Sequence, residues 1–99
     1  MTEPARISYD PKVDSATVWL REGPVRSATQ DHLDERRVVD RDSAGEPVAI
    51  ELHHVSLGVD LRGLPERDRV MLALERLAGE RGWELGVTIG VGGSGAALA

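Results

Sequence analysis

Apolar and polar positions alternate with a two-residue rhythm through most of the first fifty-odd residues. In I-S-Y-D (7–10), Ile7 and Tyr9 share one side. In S-A-T-V-W-L-R-E (15–22), Ala16, Val18 and Leu20 face one way, and Thr17, Trp19 and Arg21 the other. Successive side chains of a strand point to opposite faces, so each stretch predicts a strand with one oily side. P-K-V-D-S (11–15) between them has the proline and small polar residues of a turn, and Gly23-Pro24 ends the second strand because proline cannot donate to a ladder. V-R-S-A-T-Q (25–30) reads as a weak, polar edge strand, and R-R-V-V-D-R-D (36–42) as another strand. D-S-A-G-E-P (42–47) predicts a hairpin turn in which Gly45 supplies a positive φ. P-V-A-I-E-L-H (47–53) is the strongest strand, with Val48, Ile50 and Leu52 on its core side.

The rhythm then changes. Over 65–81, Val70, Ala73, Leu74, Leu77 and Ala78 recur at helical spacing as one stripe, with Met71 at its edge. Pro65 suits a first helical turn, Glu66 and Asp68 suit the positive end of the helix dipole, and Gly82 suits a left-handed cap. Past it the period of two returns: Trp83, Leu85, Val87, Ile89 and Val91 alternate with Glu84, Gly86, Thr88 and Gly90, which predicts a further strand over 83–91. The expected fold is α+β: an antiparallel β-meander of four to five strands, one covering helix and a C-terminal extra strand. Residues 1–91 form a single domain, with 92–99 a flexible Gly-rich tail.

Composition narrows the function classes. Ninety-nine residues bury only about 60–65% of their extended surface, so one core is all the chain can build. Without cysteine there is neither a disulfide framework nor a thiolate zinc site. No apolar run approaches the roughly 20 residues that span a bilayer. M-T-E-P-A-R lacks the layout of a secretory signal, so a cytoplasmic location is expected, with no membrane partner. A net charge of −5 disfavours a nucleic-acid role, which would need Arg21, Arg26, Arg36, Arg37 and Arg41 gathered on one side.

Candidate chemistry is sparse. If the strand through 47–54 is regular, His54 shares the core face with Leu52 and closes its rim, while His53 sits in solvent beside Glu51 on the open face. Two imidazoles on opposite faces bind one ion only at a bulge or at the strand's end. A metal-binding or hydrolytic site built on His53, His54 and Glu51, with His32 if it approaches, is therefore the alternative reading. Asp10, Asp14, Glu22, Asp31, Asp34, Asp40 and Asp42 lie in turns and on polar faces, where acids are ordinary. The Gly-rich tail lacks the G-K-[ST] ending of a phosphate loop, and no serine sits in a nucleophile elbow. No catalytic residue, cofactor or metal is expected.

What remains is surface. Trp19 lies opposite Val18 and Leu20, on a face that one helix cannot cover, and the apolar strand 83–91 is spare. Large uncovered patches tend to be contact sites. The expected contact set is Thr17, Trp19, Arg21, Trp83, Leu85, Val87 and Ile89, unless 83–91 folds back over Trp19.

I-S-Y-D-P-K-V-D-S-A-T-V-W-L (7–20), the Gly-Pro after it, V-V-D-R-D-S-A-G-E-P-V-A-I-E-L (38–52) and the H-V-S beyond them together resemble the domain of unknown function 2283, a family of short bacterial proteins. The resemblance covers about residues 5–57. Ala49 stands where the family pattern often has glycine, and 64–99 extend beyond the usual unit. The resemblance implies a small antiparallel sheet, no established activity and no catalytic residues. The family's genes look similar in arrangement to toxin–antitoxin modules, which implies an antitoxin-like role. The function expected is thus a non-catalytic interaction protein, forming a homodimer or binding a small protein partner such as a neighbouring toxin.

Overall fold

The computed structural model describes residues 2–24 and 26–88. Its main sheet holds β1 (Arg6–Asp10), β2 (Ser15–Trp19), β3 (Thr29–His32), β4 (Arg37–Arg41) and β5 (Pro47–His53), all neighbours antiparallel. A 3-10 turn (Val55–Leu57) leads to the short β6 (Val59–Asp60), then α1 (Arg67–Arg81), then β7 (Val87–Thr88), which pairs with β6 in parallel outside the main sheet. The α+β class, the five-stranded antiparallel sheet, the single helix and the extra strand are all as the sequence predicts.

The order of the strands is not that of a meander. The sheet runs β1-β2-β5-β4-β3, with β5 inserted beside β2. Burial explains the exchange. Val48, Ala49, Ile50 and Leu52 of β5 are all buried, so this strand belongs at the centre, whereas the four residues of β3 are all exposed and fit an edge. Polar residues at 25–30 predict that edge, although the ladder takes up only from Thr29. The β4–β5 hairpin turns where expected, with Gly45 at φ 84° and Asp42 Oδ1 accepting from both Ala44 N and Glu46 N.

The core lies between the sheet and α1. Ala16, Val18, Val39, Ile50 and Leu52 meet Val70, Ala73, Leu74 and Leu77, and the helix stripe is the one read from the spacing. Burying each large member stabilises the packing by about 1.5–3 kcal/mol. The helix starts two residues later than its proline suggests. Glu66 takes a left-handed conformation (φ 50°) at the N-cap, and its carboxylate accepts from Arg21 and Arg69 instead of capping the backbone. Gly82 closes the other end at φ 70°.

Residues 83–88 fold back on the chain's own core. Trp83 meets Tyr9 edge to face, ring centroids 5.0 Å apart, and Leu85 and Val87 pack against the buried core. They do not cover Trp19. Of the strand expected over 83–91, Val87–Thr88 forms the ladder, while Ile89–Val91 and the tail 92–99 lie outside the described residues. The β6–β7 contact needs a glycine at Gly58: Val59 N donates to Gly86 O, and a Cβ on Gly58, at φ 112°, would stand 3.1 Å from that oxygen.

Candidate interaction face

Register places the open face residue by residue. One row runs across four strands as Arg6, Trp19, Ala49 and Asp40, ending at Gln30 on the β3 edge. The next row on the same side is Ser8, Thr17, Glu51, Val38 and His32. α1 lies on the other side, so this face has no cover in the described chain. Trp19 and Thr17 are half-buried, as the alternation predicts, and the Arg6 guanidinium stacks 5.0 Å over the Trp19 ring. Arg21 does not join them as a free cation: it is paired to Glu66 at 2.8 Å.

Beyond the small Ala49 (2% exposed) lies a carboxylate pair. Asp40, only 8% exposed, and Glu51 both accept from the Gln30 amide, at 3.1 and 3.0 Å. Burial, then the neighbouring Asp40, raise the Glu51 pKa above its ordinary value, against the opposing influence of Gln30 and His32. Among the described residues no arginine or lysine pairs with either carboxylate. This pair, which depends on which strands are neighbours, is not readable from alternation alone.

The histidines separate. His53 shares a hydrogen bond with Ser15 Oγ at 2.9 Å on the open face. His54 does not close the rim of the core: the strand ends at His53, His54 turns left-handed (φ 56°) and is exposed, and Val55 takes the buried position. His32 lies close enough to Glu51 to favour its charged form, but no group of three or more His, Asp or Glu among the described residues could hold a metal ion.

The arginines serve the fold. Arg36 Nη2 donates to the carbonyls of His54 (2.9 Å) and Gly58 (2.7 Å), Arg37 to those of Asp60 and Arg62, and Arg69 to that of Leu20. They tie irregular backbone whose carbonyls lack ladder partners. Two apolar side chains that alternation does not single out stand exposed: Val13 in the β1–β2 turn and Leu57 in the 3-10 turn. No helix among the described residues is long and apolar enough to cross a membrane.

A two-layer α+β structure, with one sheet face left bare by the described residues, is the class these residues define. Residues 6–56 match the family described as "Protein of unknown function (DUF2283)", and the chain belongs to it. No curated protein and no solved structure matches the chain.

Proposed function

We propose that the chain is a non-catalytic, cytoplasmic bacterial interaction protein that docks a protein partner, or a second copy of itself, on the open sheet face around Trp19. The observation that carries this reading is a half-buried tryptophan, stacked under a cation, on a sheet face that α1 leaves bare. Thr17 and Arg21 flank it, and the weight of the contact falls on these three. Trp83, Leu85 and Val87 contribute only what their packing against Tyr9 and the core leaves accessible; Ile89 completes that set in sequence. An antitoxin-like regulator is the concrete form. A net charge of −5 and the Asp40–Glu51 carboxylates, which meet no arginine or lysine among the described residues, suit a basic partner, such as a toxin encoded beside this gene.

The test is binding of the neighbouring gene's product by calorimetry, for the wild type, Trp19→Ala and Thr17→Arg. Loss of affinity by about tenfold or more in either folded variant supports the reading, since a buried aromatic anchor carries that much of an interface. Equal binding by all three, or no binding to that product together with a monomeric wild type, overturns it.

A further inference from the structure

The row Arg6–Trp19–Ala49–Asp40 has an order that fits its own reverse. It reads cation, bulky ring, small side chain, anion, on four adjacent strands about 4.8 Å apart. A two-fold axis parallel to the strands, passing between β2 and β5, exchanges the first position with the fourth and the second with the third. Two sheets packed face to face about 10 Å apart would then oppose Arg6 to the second copy's Asp40 and Trp19 to its Ala49. In the same operation Thr17 meets Glu51, and Ser8 meets Val38.

We propose that the open face is a homodimer interface of this geometry, with a second copy of the chain as its occupant. The inference rests on the interaction reading above and names the partner. Three features favour a copy over an unrelated protein. The large-to-small fit of Trp19 on Ala49 and the charge fit of Arg6 on Asp40 are both self-complementary about one axis, as an isologous contact requires. Asp40, which meets no arginine or lysine among the described residues, receives Arg6 from the other copy. Arg6, although exposed, is already held in place over Trp19, so little side-chain freedom is lost on contact.

The face is small. The four strands that overlap, each about five residues long, project onto roughly 300 Å² of each copy, below the standard interface size, so the dimer belongs to the weak class.

The experiment is sedimentation equilibrium from about 1 μM to 1 mM on the wild type, Arg6→Glu, Asp40→Lys and an equimolar mixture of the two variants. Symmetry repeats the charge contact twice, so each variant alone should dimerise about tenfold more weakly. The mixture should recover to within about threefold of the wild type, because both contacts of the mixed dimer are again opposite in sign. A wild type that stays monomeric to 1 mM, or a mixture no better than its components, overturns the proposal. Should Asp40→Lys fail to fold, Thr17→Cys decides: the chain has no other cysteine. A short bis-maleimide should link Thr17→Cys into a dimer and leave Glu75→Cys, on exposed helix surface, as monomer; equal or absent linking counts against the interface. A monomeric wild type that still binds the neighbouring gene's product through Trp19 removes the homodimer and leaves the interaction reading standing.

Discussion

The Tyr9 hydroxyl donates to Asp14 Oδ1 at 2.7 Å, across the turn that joins β1 to β2. The same carboxylate accepts from the Ser56 hydroxyl at 2.6 Å and the Ser56 amide at 3.1 Å, while the Asp14 carbonyl accepts from Val55 N. One aspartate thus pins the start of the sheet to the turn that leaves it. Burial alone would raise the Asp14 pKa, but bonds from Ser56 and Tyr9 outweigh it and hold the group below its ordinary value; the same bond raises the Tyr9 hydroxyl. The spacing of Tyr9, Asp10 and Asp14 in Y-D-P-K-V-D has its physical meaning here: Asp10 forms the turn by accepting from Lys12 N, and Asp14 locks it.

Removing the lock should cost stability. Asp14 is left-handed at φ 53°, so Asp14→Ala loses charged hydrogen bonds and adds backbone strain; about 2–4 kcal/mol in urea denaturation is expected. Asp14→Asn keeps a residue that tolerates this conformation and should lose less than half as much. Equal losses would mean that the carboxylate's charge and the backbone strain do not act as described.

Acid should act on two carboxylates in opposite directions. Asp14, with its folded pKa lowered, contributes stability that is complete above the unfolded value of about 3.9 and is lost as pH falls through the folded value. Glu51, with its folded pKa raised, contributes stability that is complete below about pH 4.3 and is lost as pH rises through the folded value. Glu51→Gln should therefore melt a few degrees above the wild type at pH 7 and together with it near pH 4. A variant less stable at pH 7 would show that the charged form is favoured on this face.

Leu74 has no exposed surface and lies mid-stripe on α1. Leu74→Ala should cost about 2–5 kcal/mol in denaturant, and Leu72→Ala, half-buried off the stripe, under half of that. Comparable losses would contradict the observed docking face.

Arg36 reaches three carbonyls with one guanidinium, those of His54 and Gly58 through Nη2 and that of His53 through Nε. Arg36→Ala should cost about 1–2 kcal/mol, and Arg36→Lys should recover little, because an ammonium cannot reproduce the planar fork. Full recovery by lysine would reduce the role to charge alone.

Much of the fold is legible because strand and helix periods differ. Val18, Ile50 and Leu52 declare their side by alternation, and Val70, Ala73, Leu74 and Leu77 by a spacing that only a helix satisfies. Alternation specifies faces but not neighbours. It therefore says that Glu51 shares a face with Trp19 and leaves open that β4 brings Asp40 alongside. His54 is misplaced for a related reason. The strand stops one residue earlier than an unbroken rhythm suggests, and a left-handed turn hands the buried position to Val55. The meeting of Trp83 with Tyr9 joins residues 74 positions apart by rules that local pattern does not contain.

The match to the family ends at residue 56, yet the roof of the core, Val70 through Leu77, belongs to the chain beyond that point. Cut after Leu57, the chain would be a floor without a ceiling, and the missing piece would be a separate molecule able to find it. Peptides 1–57 and 58–99, mixed in equal amounts, should then reassemble, with the fluorescence of Trp83 shifting to the blue as it returns to its place against Tyr9.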